Sequence, residues 1–322
     1  MILDDRMDNG DLIILDGATG SEIRNFGAVL SPVVWCGAAN LQYPDAVQDV
    51  HEAYIEAGAD VVTTNTFATC RHVLDAVGLA SRAVEVTKRG VELAFKARDA
   101  AADDRDVAVA GSLSSMTAWI PGTIKSDPQF LPSSRQQWAD NLFEQAQALC
   151  DAGVDFLILE MMTNADFDVT VAEAARATGL PVWCGLSASF APDRRVVAWD
   201  AVTEHPEETL DDGSEFVEFA DVVDAFVEFE PQVMGVMHST LAVTAPALDR
   251  LRSTWKGPLM AYPETIGTDE KGVRNGVSAP PKQFAEQCAQ LVSGGVQVVG
   301  GCCGTTIAHL RQLARTLERE PG

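Results

Sequence analysis

Short apolar runs rich in Val, Ile and Leu alternate along this chain with longer stretches in which apolar residues recur at helical spacing. The first run, Asp11–Asp16 (DLIILD), closes on the glycine turn Gly17-Ala-Thr-Gly20. Ala46, Val47, Val50, Ala53, Tyr54 and Ala57 then follow the three- and four-residue steps of an amphipathic helix. The same alternation continues: Asp60–Thr64 precedes a helix over Ser81–Ala101, Val107–Ala110 one from about Ser134 to Ala152, and Val154–Leu159, stopping at Glu160, one over Asp168–Thr178. Pro181–Leu186 precedes Phe216–Phe229, Gln232–Met237 precedes Ala245–Trp255, Pro258–Ala261 precedes Lys282–Ser293, and Val296–Val299 precedes Ile307–Arg319. That makes eight strand–helix units.

Helical connections of this length imply parallel strands joined by right-handed crossovers. Doubly wound sheets and closed barrels share the alternation, so the periodicity alone does not separate them. The ends of the runs do. Every one carries a polar residue at its carboxyl end: Asp16, Thr64 with Asn65, Ser112, Glu160, Ser187, His238, Glu264, and Cys302 with Cys303. One polar rim fits a barrel mouth, where barrel enzymes build their active sites. The expected fold is therefore α/β, a (β/α)8 TIM barrel occupying residues 1–322 as a single domain. Thr117–Ser133 and Ser189–Ser214 read as long loops over that mouth.

The 322 residues suit one barrel of roughly 250 residues plus its loops. With 23 Lys and Arg against 47 Asp and Glu, the formal charge of −24 repels phosphate backbones and anionic membrane surfaces, so neither nucleic acid nor membrane is an expected partner. The amino terminus lacks a basic segment followed by an apolar core, and no run approaches membrane-spanning length; a cytoplasmic protein is expected. Seven cysteines, an odd number spread over a long chain, do not resemble a secreted disulfide framework and point to reduced thiols, free or metal-bound. Homo-oligomerisation is left open.

The sharpest chemical signal is Val296-Gln-Val-Val-Gly-Gly-Cys302-Cys303-Gly304-Thr305-Thr306. Neighbouring cysteines seldom reach the Cα separation and Cβ directions of a strain-free disulfide, so two thiols aimed at one point suggest a metal. Two small buried core residues are the plainer reading of the same pair. Cys36, Cys70, Cys150, Cys184 and Cys288 have no partner spacing and read as structural.

With these segments in place, the chain resembles the homocysteine S-methyltransferase family of zinc-dependent barrels. The resemblance runs through Asp16-Gly-Ala-Thr-Gly20, Gly58-Ala-Asp-Val-Val-Thr-Thr-Asn-Thr-Phe67, Ala152-Gly-Val-Asp-Phe-Leu-Ile-Leu-Glu160 and Ala261-Tyr-Pro263 to Gly300-Gly-Cys-Cys-Gly-Thr-Thr306. It implies Zn²⁺ held by Cys302, Cys303 and a third ligand after the sixth strand, where the family has a Gly-Val-Asn-Cys-like sequence. This chain reads Gly235-Val-Met-His238 there, so His238 takes the slot of the family cysteine, and a Cys2His site with an open position is known zinc chemistry. The resemblance further implies that Glu160 holds the ammonium of an amino-acid acceptor and that Asp16, Gly17, Thr64, Asn65 and Phe67 line the same pocket. Trp35 would face the donor, and Glu264, where an asparagine is usual, would approach the metal or the acceptor.

The implied reaction moves a methyl group from a small donor, S-methylmethionine or a betaine-like compound, to homocysteine or a related thiol, giving methionine in the first case. Coordination matters because a free thiol of pKa about 8.5 is mostly protonated at neutral pH, whereas a metal-bound one is deprotonated. Two other readings stay open: a barrel whose Gly300–Gly304 loop cradles a phosphorylated metabolite, and a metal-free descendant that binds a small amino acid.

Overall fold

The eight apolar runs pair side by side as parallel strands: β1 (Ile13–Ile14), β2 (Val61–Thr63), β3 (Ala108–Leu113), β4 (Phe156–Met162), β5 (Val182–Leu186), β6 (Val233–Thr240), β7 (Leu259–Glu264) and β8 (Val298–Val299). This is a computed structural model that describes residues 2–199, 216–268 and 274–318. The neighbours run β1-β8-β7-β6-β5-β4-β3-β2. The parallel bridge Leu15–Val61 then joins β1 back to β2, with the Asp16 N–H donating to the Val61 carbonyl at 3.1 Å and Asp60 N–H to Ile14 at 2.7 Å. The sheet is thus closed, and the barrel rather than the doubly wound alternative is the fold.

Successive strand residues point to opposite faces, and both faces are apolar, which is why each strand reads as an unbroken hydrophobic run. Ile13, Leu15, Val61, Ala108, Ala110, Phe156, Ile158, Trp183, Val233, Met260 and Val298 fill the barrel interior. Their neighbours Ile14, Val62, Val109, Leu157, Val236 and Val299 pack outward with the helices. The helix Pro44–Glu56 shows how those helices meet the sheet: its buried residues Val47, Val50, His51, Tyr54 and Ile55 form one stripe at three- and four-residue steps.

The short helix Asp4–Asp8, which the periodicity does not reveal, closes the barrel floor. Leu3 and Met7 join the interior cluster. Arg6 fastens the segment: Nη1 donates to Asp60 Oδ1 at 2.9 Å, and Nη2 to Asp60 Oδ2 at 3.0 Å and the Leu12 carbonyl at 2.7 Å. Asp60 Oδ2 also accepts the Ile14 N–H at 2.8 Å, so one carboxylate ties the floor to β1.

Several boundaries differ from the sequence expectation. β4 does not stop at Glu160 but continues to Met162, and β6 passes Met237 and His238 to reach Thr240. In each case the register shifts near the strand end, between Leu159 and Met162 on β4 and between Met237 and Thr240 on β6. An added residue bends such a strand without ending its pairing. β1 and β8 shrink to two residues each. The expected loop Ser189–Ser214 contains part of an antiparallel hairpin, Ala188–Phe190 with Val196–Ala198, and residues 200–214 of it lie outside the described residues. Arg319, at the end of the expected last helix, also lies outside them; the helix spans Ile307–Thr316. Among the described residues, no helix is long and apolar enough to cross a membrane.

Asp60 holds both Arg6 of the floor segment and β1, and Asp60→Ala would strand the half-buried Arg6 and the Ile14 N–H together. We expect a loss of about 2–3 kcal/mol in urea unfolding. A loss under about 0.5 kcal/mol, the size of an ordinary surface substitution, would show that the floor is not held this way.

Candidate active site and metal centre

The β8 strand leads into Gly300 and Gly301, and neither has room for a side chain: neighbouring backbone crowds the first, and the Thr305 and Phe284 side chains crowd the second. A Cβ on Gly300 would lie 2.6 Å from the Leu15 carbonyl oxygen and 2.7 Å from that of Asp16; one on Gly301 would lie 2.3 Å from Thr305 Cγ2. At this spacing Gly301 N–H donates to the Asp16 carbonyl at 3.1 Å and Cys302 N–H to the Pro263 carbonyl at 2.8 Å. Thr305 Oγ1 donates to the Gly301 and Cys302 carbonyls at 2.8 and 2.7 Å and accepts the Ala18 N–H at 3.0 Å. The two cysteines are thereby fixed against β1 and β7 at the mouth. Close packing accounts for these glycines without a bound phosphate.

His238 reaches the same point from β6. Its backbone has φ +44°, in the left-handed region that non-glycine residues seldom enter, and it sits inside the register shift that follows Met237. Met237 turns inward, its sulfur filling the space that a Cβ on Gly185 would need and accepting the Met161 N–H at 3.2 Å. His238 Nδ1 then lies 3.6 Å from Cys302 Sγ and 3.3 Å from Cys303 Sγ, with the two sulfurs 3.9 Å apart. The Trp199 indole packs against the His238 ring in a T-shaped contact, centroids 5.1 Å apart. Among the described residues, these three form the one His, Cys and carboxylate group whose ligand atoms all lie within 4.8 Å of each other.

Beside them lies a cavity of about 360 Å³ bordered by Asp16's neighbours Gly17–Gly20, by Thr63, Glu160 and Tyr262, and by all three cluster residues. Glu160 accepts a short hydrogen bond from the Ser112 hydroxyl. Burial pushes its carboxyl up to about 7, and the Cys303 charge adds to this while Ser112 and His238 oppose it. Asp16 has no exposed surface and is gripped on both oxygens. It takes the Thr63 N–H at 2.6 Å, the Thr63 hydroxyl at 3.1 Å and the Tyr262 hydroxyl at 2.9 Å. Burial nevertheless raises it to about 7, helped by the charge of Glu160. The hydrogen bond that the Cys302 thiol donates to Cys303 Sγ, together with burial, pushes that thiol well above its ordinary value, with the charges of Cys303, Glu160 and Glu264 adding to the effect.

The expected site residues thus divide. His238, Cys302, Cys303, Glu160, Gly17, Thr64, Asn65, Phe67 and Trp35 all border the cavity, and Asp16 stands directly behind it. Glu264 does not border it; its side chain is fully buried at the end of β7. Two of the liners are occupied by scaffolding. Thr64 Oγ1 accepts the Ser112 N–H at 3.1 Å and pairs with Thr66 Oγ1 at 2.8 Å, and Asn65 Nδ2 donates to the Cys36 carbonyl at 3.0 Å and Asn40 Oδ1 at 2.8 Å. Sequence reasoning missed Tyr262, although it lies inside a quoted motif, and Thr63, Met161, Cys36 and Arg24. Cys36, read as structural, does line the cavity, with its thiol raised by burial to about 12.

Fold and site together define a barrel enzyme with a thiol–imidazole cluster and two buried carboxyl groups at its mouth. The model of the family "Homocysteine S-methyltransferase" matches residues 13–317, and the chain belongs to that family, a family of methyltransferases. It is 29% identical to the homocysteine S-methyltransferase of Escherichia coli strain K12 over 95% of this chain and 96% of that one. It is 24% identical to betaine–homocysteine S-methyltransferase 1 of Mus musculus over 99% of this chain and 75% of the relative. The crystal structure of the homocysteine methyltransferase MmuM from Escherichia coli in its metallated form superposes with a TM-score of 0.72 at 24% identity, covering 98% and 99% of the two chains.

The raised carboxyls have a consequence for stability. A folded-state value of about 7 for Glu160, against an ordinary carboxyl value of about 4, means that the folded protein holds this proton more tightly than the unfolded chain. Its contribution is full at low pH and is lost as pH rises to about 7. In metal-free protein, Glu160→Gln should therefore gain stability relative to the unsubstituted chain between about pH 4.5 and pH 7.5. A difference that stays constant across that range in parallel thermal melts would overturn the assignment.

Proposed function

We propose that this chain catalyses zinc-dependent methyl transfer from a small donor, S-methylmethionine or a betaine-like compound, to the thiol of homocysteine, giving methionine. The observation that carries the reading is the spacing of His238, Cys302 and Cys303. Tetrahedral zinc with Zn–S about 2.3 Å and Zn–N about 2.05 Å requires S···S near 3.8 Å and S···N near 3.6 Å. The side chains offer 3.9, 3.6 and 3.3 Å without rearrangement. The donor set suits zinc as well, since two thiolates and an imidazole are ligands of its usual kind. A zinc ion held there would deprotonate an incoming thiol and leave it one open position.

The remaining groups define what these residues do. Glu160 would receive the acceptor's ammonium, oriented by Ser112, while Asp16, held by Thr63 and Tyr262 behind the cavity wall, would add negative charge at longer range. An ammonium ion in that position favours the ionised carboxylates and so opposes the burial that raises them. The acceptor sulfur then forms a bond to the donor's methyl carbon as the carbon–heteroatom bond of the donor breaks, its electron pair leaving with the donor. Partial enclosure of the cavity keeps bulk water from competing for the thiolate and the carboxylates.

About one zinc per chain is expected after purification without chelator, and Cys302→Ser, Cys303→Ser or His238→Ala should each lose most of it while circular dichroism stays unchanged. His238→Cys should retain it. Stoichiometric zinc in His238→Ala would remove histidine from the ligand set. Glu160→Gln should keep its zinc but raise the KM for homocysteine by the worth of one charged hydrogen bond, about 1.5–3 kcal/mol. Zinc loss in that variant would place Glu160 with the metal rather than with the acceptor.

A further inference from the structure

We propose that Arg24, laid across Trp35 at the cavity mouth, is a specificity residue that receives the carboxylate of the methyl donor. The inference rests on the methyltransferase reading and deepens it. Gly20 and Arg24 lie one turn apart on the helix Thr19–Asn25, so they share a face. Trp35 crosses that face. A Cβ on Gly20 would lie 2.3 Å from Trp35 Nε1, so only glycine lets the indole lie so close, and the Arg24 guanidinium carbon sits 5.2 Å from the centroid of its ring. Trp35 is held in turn by the Ser31 N–H, which donates to its carbonyl at 3.1 Å, and by a tilted contact with Trp119 at 6.3 Å. The guanidinium is therefore positioned by stacking.

Its charge has nothing else to serve. Arg24 is exposed and, among the described residues, forms no ion pair and is the only Lys or Arg bordering the cavity, in a chain with 47 acids against 23 bases. The cavity polarity follows: Glu160 and two thiols inside with Asp16 behind them, one guanidinium at the lip. In-line attack also fixes where a donor must lie. The acceptor sulfur sits at the His238–Cys302–Cys303 cluster, so the methyl group and the donor heteroatom extend from it toward the mouth. A zwitterionic donor, cation inward and carboxylate outward, matches both the geometry and the charges. A cation without a carboxylate would meet Arg24 as a like charge.

The test is calorimetric titration of the zinc-containing protein and of its Arg24→Gln variant with S-methylmethionine and with S-methylmethionine amide, whose uncharged carboxamide replaces the carboxylate. Arg24→Gln should weaken S-methylmethionine about tenfold or more and change the amide by less than about twofold. Arg24→Lys, which keeps the charge but not the planar fork, should fall between. Equal losses for both ligands, no loss for either, or an increase confined to homocysteine KM would overturn the proposal. The two readings fail separately. Carboxylate-dependent binding without methyl transfer to homocysteine would refute the methyltransferase reading and leave the subsite standing, whereas turnover indifferent to Arg24 would do the reverse.

Discussion

The site depends on how closely β8 can pass between β1 and β7. Gly300 faces the carbonyls of Leu15 and Asp16 at distances that no Cβ tolerates, and backbone, unlike a flexible side chain, cannot step aside. A methyl group there would pry β8 from β1. The hydrogen bonds from Gly301 to Asp16 and from Cys302 to Pro263 would go with it, and they hold the cysteines beside Asp16 on one side and the Tyr262 strand on the other. One steric constraint thus sets the position of the thiols, of the buried aspartate and of the hydroxyl that orients it.

Bringing these groups together creates an electrostatic problem that the protein alone does not resolve. Asp16, Glu160, Cys302 and Cys303 are all acids: the Glu160 charge raises the proton affinity of Asp16 and Cys302, and the Cys303 charge that of Glu160 and Cys302. Without cations, burial and mutual repulsion favour the protonated forms of Asp16, Glu160 and Cys302. The cluster becomes anionic when positive charge enters, and two kinds fit: a metal at the thiols and an ammonium at the carboxyls. Each entry releases protons, and each makes the other easier by removing repulsion between acids that would otherwise both be charged. On the proposed reading, binding of metal and of acceptor would be coupled through this shared charge.

The barrel was legible because its strands are buried on both faces, so every one appears as an unbroken apolar run, and because helices of regular period separate them. The cysteine pair was legible because its residues are adjacent in sequence and framed by glycines whose steric purpose is local. His238 was reached only through its alignment with a family slot. What carries it to the thiols is a register shift with a left-handed residue, and neither leaves a compositional mark when the residue in that conformation is not glycine. Met161, at φ +61° on β4, escaped in the same way. Tyr262 and Asp16 are 246 residues apart, a pairing that no local pattern encodes. Arg24, on a seven-residue helix, carries no local sequence signal, because what distinguishes it is the Trp35 ring beneath it, eleven positions on.

The histidine also bears on what such a site does to a thiol. Three thiolates around a divalent zinc carry a net charge of −1, whereas two thiolates and a neutral imidazole carry none. The more electron-poor metal lowers the pKa of a bound thiol further, which favours the ionised acceptor at lower pH. It also withdraws density from the sulfur that must attack, and thiolate reactivity falls with basicity at a slope of about 0.4–0.5. Because that slope is below one, a gain in ionised fraction exceeds the loss in reactivity wherever the thiol is still partly protonated, and the balance reverses once ionisation is complete. Imidazole is therefore the better ligand where protons compete strongly for the thiol, and a cavity lined by Glu160 and backed by Asp16, both raised to about 7, is such an environment.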